Sequence, residues 1–287
     1  RDSSVTGVQT CALPICTQNA GAGETALDSR VNLNGRTRTY SVFATDTLSL
    51  NNHWHATVSG RYNRTALKNR DNLNPGGGDD SLDGNHTFSR FNPAVGLTFT
   101  PSRSWNAYAG YSEGSRTPTS IELGCANPEN PCKLPNAMAG DPPLKQVVTK
   151  TWDLGLRGQL NPVTHWNLGV FRATNHDDIL FVADEQLGYG YFKNFGKTRR
   201  QGVEAGANTA FGPLSVALSS TFLDATYRSA EEVGGAGNST NEEGPGMEGT
   251  INVRKGDRIP LIPRHIVKAS AAYRITSAFS VGSDLIG

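Results

Sequence analysis

The chain alternates apolar and polar residues with a period of two over much of its length. In the stretch TKTWDLGLRGQL, Trp152, Leu154 and Leu156 share one parity, and Asp153 and Arg157 lie on the other. Successive side chains of a β-strand point to opposite faces, so this pattern is typical of a strand with one apolar and one polar face. The pattern predicts about ten strands, at residues 37–49, 54–65, 87–100, 104–113, 148–160, 164–177, 198–211, 214–228, 264–275 and 278–287.

The links between the predicted strands alternate strictly between short and long. The short links contain Asn, Pro, Gly or Ser residues that favour turns, and they lie at 50–53, 100–104, 160–164, 211–214 and 275–278. The long links are polar and have no predicted secondary structure, and they lie at 66–86, 114–147, 178–197 and 229–263. Consecutive links of an up-and-down barrel lie at opposite ends, so all the long links share one end. This asymmetry predicts an all-β fold, an antiparallel up-and-down transmembrane β-barrel with short periplasmic turns and long extracellular loops.

Tryptophan residues lie near the ends of the predicted strands. Trp54, Trp105 and Trp166 each follow a short link, and this predicts a common aromatic rim at that end. Such rings prefer the level of the lipid headgroups, where they are half in water. A secreted β-sandwich with tryptophans in its core fits the alternation equally well, but it explains neither the asymmetry nor the length of the links.

Composition narrows the class of protein. Hydrophobic residues make up 36% of the chain and there are 32 glycines, which favours strands joined by turns over a helical bundle. With a net charge of +1 and no long Lys/Arg cluster, we expect no nucleic-acid partner. No apolar run approaches the ~18 residues that a membrane-spanning helix needs. This does not exclude a transmembrane barrel, because only every second residue of its strands is apolar. Nucleophile elbows, phosphate-binding glycine loops and paired carboxylates are absent, so we expect neither an enzyme nor a cofactor.

The first residues are a separate problem. The stretch VTGVQTCALPI, at 5–15, looks like the conceptual translation of a sequencing-library adapter. We therefore set 1–16 aside as a sequencing artefact, treat 17–35 as irregular and assign 36–287 to the barrel. The spacing of Cys125 and Cys132 in GCANPENPC predicts a small disulfide-closed loop in an oxidising compartment.

Three stretches resemble the TonB-dependent receptors of Gram-negative outer membranes. They are SVFATDTLSLNNHWHATVSGRYN, FNPAVGLTFTPSRSWNAYAGYSEGSRTPTSIELGC and YGYFKNFGKTRRQGVEAG, and they occur in the family's order. The resemblance covers roughly residues 36–287. The residues that match family motifs are Arg116, Pro118, Glu122, Asn194, Gly196, Gly202 and Glu204. For the rim motif around Arg116 we favour a structural role, and we expect Glu204 to face the barrel interior.

The resemblance implies a larger barrel of about 22 strands that is filled by an N-terminal plug domain. It also implies a protein of the outer membrane, surrounded by outer-membrane lipid and monomeric at full length. Such a receptor takes up a scarce nutrient, here expected to be a ferric siderophore, with energy supplied by TonB through a box near the plug. The chain departs from this pattern because no plug precedes residue 35 and the last strands are missing. Alone, its two unpaired edges would favour aggregation. A passive porin or adhesin-like barrel is the alternative.

Contacts with the nutrient are expected in the long links, since loops on a rigid scaffold are where recognition residues concentrate. Ferric siderophores are often anionic or aromatic, so basic and aromatic side chains suit them. The candidates are Phe181, Tyr189, Tyr191, Phe192 and Lys193. The same residues could instead form an aromatic girdle around protruding strands.

Two groups of residues have types that bind metals. His53 and His55 lie two residues apart, but no third ligand is evident. Asp79, Asp80 and Asp83 lie in a glycine-rich link without the order of an EF-hand. We therefore predict no metal site.

Overall fold

The computed structural model describes residues 32–77, 81–126, 132–133, 144–183, 189–234 and 250–287. In chain order the elements are β1 (Leu33–Ser49), β2 (Trp54–Asp71), β3 (Gly84–Phe99), β4 (Trp105–Arg116), α1 (Ser120–Leu123), β5 (Cys132–Lys133), β6 (Val147–Asn161), β7 (Thr164–His176), β8 (Ile179–Ala183), β9 (Tyr189–Asn194), β10 (Lys197–Phe211), β11 (Leu214–Tyr227), β12 (Glu231–Gly234), β13 (Thr250–Val253), β14 (His265–Arg274) and β15 (Ser280–Ile286). Within the described ranges, no helix is long and apolar enough to cross a membrane.

The ten long strands form one antiparallel sheet with the order β1-β2-β3-β4-β6-β7-β10-β11-β14-β15. Each long strand pairs with the long strands before and after it in the chain, so the predicted up-and-down arrangement is confirmed. The five tight connections lie at one end of this sheet, which we call the turn end. The long connections lie at the other end, which we call the loop end.

The long connections are not structureless, and this part of the prediction is wrong. Five short strands in them form a second sheet with the order β13-β12-β8-β9-β5. The first long connection is also shorter than predicted, at 72–83 instead of 66–86, because β2 pairs with β1 as far as Asp71. Backbone N–H and C=O groups that are away from water need hydrogen-bond partners, and the pairing of these short strands supplies them.

The two faces of the long sheet differ in chemistry. The register aligns Leu154 with Val170, Val170 with Val203 and Val203 with Phe222, all on one face that we call the outward face. These side chains are exposed, Leu154 at 55%, although they are among the most apolar in the chain. They do not pack against a second sheet, which contradicts a β-sandwich.

The opposite face, which we call the inward face, is polar and surrounds a cavity of about 830 Å³. Strands from β4 round to β15 contribute to its lining, so the sheet curves with its polar face inside. Polar and charged residues of this lining include Asn106, Arg157, His165, Asn167, Lys268 and Asp284. This combination of an exposed apolar face and a concave face with polar side chains is that of a transmembrane barrel segment.

Aromatic rings cluster at the turn end. The Trp54 and Phe99 ring centroids are 4.5 Å apart, and those of Phe99 and Trp105 are 6.3 Å apart. Trp166 lies near the tight β6–β7 turn, as predicted. Trp152 lies instead in the loop half of the outward face, 4.7 Å from the Tyr111 ring. The outward apolar belt is thus bordered by aromatic rings on both sides.

Candidate functional site

A small apolar core ties the long connections together at the loop end. Its members come from β2, from the segments around α1 and β6, and from β8: Leu67, Leu123, Ala126, Leu144, Val147 and Ile179. Phe192 of β9 packs against this cluster. The second sheet and α1 are therefore fixed on the end of the barrel segment, and we call this assembly the loop platform.

The motif around Arg116 lies at the edge of the platform. The Arg116 guanidinium donates to the Glu122 carboxylate at 2.8 Å. Glu122 also forms a capping box with Thr119, which stabilises the first turn of α1. Pro118 is fully buried directly before this turn. The side-chain hydrogen bonds of Arg116 and Glu122 lie within this segment, whereas the Arg116 backbone pairs with Val147 of β6.

The Asn-Phe-Gly motif joins two connections. The Asn194 side chain accepts a hydrogen bond from the Lys145 backbone at 2.8 Å, and it donates to the carbonyls of Lys145 and Asp177. Phe195 is 1% exposed and packs 4.9 Å from the Tyr227 ring. Gly196 has φ of +69°, a conformation that favours glycine, and a Cβ there would lie 2.6 Å from the Ser229 hydroxyl. The motif therefore positions the platform.

The other family-motif residues lie in β10 on the inward face. A Cβ at Gly202 would lie 3.0 Å from the ring of Phe171, so the absence of a side chain gives this ring its place. Glu204 is exposed on the inward face, between Gly169 and Thr221 of the neighbouring strands. It forms no hydrogen bond or ion pair with any residue that the structure describes.

The predicted ligand-contact residues lie on β8 and β9 of the platform. Phe181 is 37% exposed and meets Phe192 edge to face, with ring centroids 5.3 Å apart. Lys193 forms an ion pair with Glu231 at 2.6 Å, a partner that sequence reasoning missed. Tyr191 is partly exposed, and the side chain of Tyr189 lies outside the described residues. The register pairs Phe181 with Phe192, so these two rings share one face of the β8–β9 pair, whereas Tyr191 and Lys193 lie on its other face.

A polar pocket of about 270 Å³ lies on the inward face near the loop end. The Arg61 guanidinium in its wall donates to Ser41 at 2.9 Å and to Asn63 at 2.8 Å. Arg116 and Gln146 line the same pocket from the platform side. The parity of Arg61 already indicated the polar face, but only the fold shows that Arg116 shares its pocket.

A charged cluster lies beside this pocket. Glu113 is paired with Arg90 at 2.5 Å and with Lys150 at 3.7 Å, and it accepts a hydrogen bond from Tyr111 at 2.6 Å. The sequence analysis did not identify this cluster, because the three charges come from three different strands.

The candidate metal residues make contacts of other kinds. His53 and His55 bond through a ring nitrogen to Thr100 and Ser49, at 3.0 and 3.1 Å. Among the residues that the structure describes, no group of three His, Cys, Asp or Glu side chains could hold a metal ion. Asp79 and Asp80 lie outside the described residues.

Asp83 organises the first long connection. Its two carboxylate oxygens accept backbone hydrogen bonds from Asp71 at 2.6 Å and from Gly76 at 2.8 Å. These bonds, that from Gly76 first, lower the pKa of Asp83 below its ordinary value.

Cys125 is buried and disulfide-bonded. The side chain of Cys132 lies outside the described residues, so the pairing of these two cysteines stays a prediction. The backbone of the bonded residue is part of the platform, since the Phe192 N–H donates to the Cys125 carbonyl at 2.5 Å.

Comparison with known proteins agrees with this architecture. The chain matches the family model described as TonB dependent receptor-like, beta-barrel over residues 10–285, and it belongs to that family. Members of this family are outer-membrane transport receptors of Gram-negative bacteria.

Solved structures of such receptors share the fold. The closed form of the ferric-catecholate import receptor Fiu from E. coli K12 has 17% identity and a TM-score of 0.62, over 89% of this chain and 35% of that one. The ferric yersiniabactin uptake receptor FyuA from Yersinia pestis has 17% identity and a TM-score of 0.58, over 90% and 35%. The alcaligin outer-membrane receptor FauA from Bordetella pertussis has 15% identity and a TM-score of 0.55, over 88% and 38%. The chain thus spans little more than a third of each.

Proposed function

We propose that the chain forms ten consecutive strands of the barrel of an outer-membrane receptor that takes up a ferric siderophore. In this proposal the loop end faces the outside of the cell and the inward face lines the transport path. TonB supplies the energy through a plug domain elsewhere in the protein. The observation that supports the proposal best is the pair of opposite faces, an exposed apolar belt outside and a polar, cavity-lining face inside.

Several of the similar receptors are named for ferric siderophores, such as ferric catecholate and ferric yersiniabactin. The platform of this chain presents residue types that fit such ligands. Phe181 offers a partly exposed ring on one face of the β8–β9 pair, and Lys193 offers a cation on the other face. Aromatic rings and cations suit the aromatic or anionic groups that surround siderophore iron. The pocket wall formed by Arg61 and Arg116 lies on the inward side of the same end and would meet the ligand next.

Transport assays on the receptor expressed in its outer membrane test this proposal. We expect Phe181→Ala and Lys193→Gln each to weaken ferric-siderophore binding by about fivefold or more, as for exposed contact residues at a binding surface. Leu261→Ala is the matched control, because Leu261 is fully exposed in the β13–β14 connection. Binding and uptake of radioactive iron would be measured with ferric catecholate, phenolate and hydroxamate siderophores. Unchanged binding of all three by both variants, in normally inserted protein, would refute this ligand assignment.

A further inference from the structure

The outward face of the β1–β2 hairpin has an unusual charge distribution in its loop half. Residues of even number on both strands share this face, as the register aligns Arg36 with Lys68 and Tyr40 with Arg64. Five exposed cations lie on it, and we call them the basic patch: Arg36, Arg38, Arg64, Lys68 and Arg70. The chain as a whole is balanced, with 27 basic and 26 acidic residues, so the patch is not a consequence of composition.

Among the residues that the structure describes, acidic side chains compensate the basic patch only in part. The adjacent outward positions of β3 are uncharged, at Asn85, Thr87 and Ser89. Backbone hydrogen bonds to both carboxylate oxygens of Asp83 are the main cause of its lowered pKa, and the charges of Arg70 and Lys68 help to lower it. None of the five cations forms an ion pair or hydrogen bond with a described residue.

Three other cations at the loop end form close ion pairs. Arg90 bonds to Glu113, Arg116 to Glu122 and Lys193 to Glu231, at 2.5 to 2.8 Å. The five cations of the basic patch form no such ion pair with a described residue.

The arrangement within the patch is unfavourable unless an anion binds. Arg36 lies directly opposite Lys68, and side chains in such pairs have their Cβ atoms roughly 5 Å apart. Like charges at this separation destabilise a strand pair. The side chains cannot turn to the other face, because Leu67 and Asn69 are buried there, at 2% and 4% exposure. An anion between the two cations would remove the repulsion.

The position of the patch indicates which anion it meets. On the same outward face, Tyr40, Tyr62 and Phe91 form an aromatic row at the upper edge of the apolar belt. Arg64 lies two residues beyond Tyr62, ~7 Å along the strand, and Arg36 lies four residues beyond Tyr40, ~14 Å. Arg64 is also directly opposite Tyr40, so with the usual strand tilt of about 40° these cations extend from the level of the row to roughly 10 Å above it. That is the level of the lipid headgroups, and long basic side chains reach across it.

We propose that the basic patch binds the phosphate groups of a phosphorylated glycolipid of the outer leaflet, on the outside of the barrel. Arginine matches phosphate oxygens with two parallel hydrogen bonds, and four of the five residues are arginines. The inference rests on the proposed outer-membrane placement with the loop end outside. It concerns the lipid-facing surface, so it is independent of which nutrient is transported.

The test is a thermal-unfolding titration of the receptor in neutral detergent, with a bisphosphorylated diglucosamine lipid as the probe. The wild-type Tm should rise with the lipid. Arg36→Gln/Lys68→Gln should need about 30-fold more lipid for the same rise, since each cation near an anionic surface contributes about fivefold. Without lipid, this variant should be at least as stable as the wild type, because the repulsion is gone. Arg38→Gln/Arg64→Gln serves as a second patch variant.

The matched control is Arg254→Gln/Lys255→Gln, which removes two exposed loop-end cations from the β13–β14 connection and should behave as the wild type does. Equal lipid responses of the control and both patch variants would overturn the inference. So would an equal response to the dephosphorylated lipid. An equal response to inorganic phosphate would show a site for small anions instead. Membrane insertion and iron uptake are measured on the same proteins: normal uptake without a lipid response refutes only this inference, whereas failure to insert refutes the proposed function.

Discussion

The two halves of strand β2 keep their apolar side chains on opposite sides. In the turn half, Val58 points outward and is 55% exposed; its partner on β3 is the apolar Val95, and its partner on β1 is Asp46. In the loop half, Leu67 points inward and is 2% exposed, while Arg64 and Lys68 point outward. Apolar groups are stable away from water, so the two halves must have different surroundings. The turn half relies on lipid to cover its outward face, whereas the loop half has a protein core of its own.

The largest effect is expected for the loop-half core. Leu67→Ala should lower the free energy of unfolding of the loop platform by about 2–5 kcal/mol, because it leaves a cavity among Leu123, Val147 and Ile179. Leu160→Ala, at an outward position that is 77% exposed, should have a much smaller effect. Protease sensitivity of the long connections, measured against denaturant, checks this. Equal sensitivity of the two variants would show that the platform has no separate core.

A charge in the apolar belt tests the other half. Leu154→Arg should cost about 2–4 kcal/mol of stability in a bilayer, as expected for a charge on the lipid face near the midplane. Ala66→Arg also adds a cation to the outward face, but in the loop half. It lies opposite Arg38, so it should cost no more than about 1 kcal/mol, the range for a like-charge strand pair. Reversible unfolding in lipid vesicles would compare them. If both substitutions cost the same, the two halves do not differ in surroundings.

A smaller effect is expected for the motif that joins two connections to the barrel. Asn194→Ala removes three hydrogen bonds, to Lys145 and Asp177, and should cost about 1–3 kcal/mol of local stability. Amide exchange at residues 144–146 should accelerate, with little change in the long strands. The control is Asn161→Ala at the turn end, which removes a single hydrogen bond to Val163.

The smallest effect is a pH dependence of the first long connection. Because its backbone hydrogen bonds lower the pKa of Asp83, the ordering they provide should be complete above the ordinary carboxylate value of about 3.9. It should be lost as the pH falls through the lowered value. Amide exchange at Asp71 and Gly76 would follow this change, corrected for intrinsic rates. In Asp83→Asn the pH dependence should disappear; its persistence would assign the effect to another group.

Much of the barrel segment could be predicted from the sequence, because the alternation of apolar and polar residues within each long strand shows which of its faces is apolar. The alternation around Leu154 is visible in seven or eight residues, and tight turns such as that at Pro213 have characteristic residues. The second half of β2 was missed because its outward residues are basic and its inward residues are mostly polar, so the pattern resembled a loop. Only Leu67 indicated a buried face.

The loop platform could not be predicted in the same way. Its strands are short, and they exist because distant segments pair, as Cys132 does with Gly190. The roles of single residues depend on the same long-range contacts. Asn194 matched a family motif, but its partner Lys145 lies 49 residues away in the chain. Likewise Lys193 was chosen for its charge, and its ion pair with Glu231 required the fold.

The central claim is that alternate side chains of the apolar belt meet lipid while their neighbours meet a wet interior. Spin labels at each position from 152 to 157, in the receptor reconstituted in lipid, test it directly through collisions with oxygen and with a water-soluble nickel complex. Our account predicts oxygen contact at 152, 154 and 156 and nickel contact at 153, 155 and 157. Accessibility without a period of two, or protection of the even positions from both reagents, would contradict it.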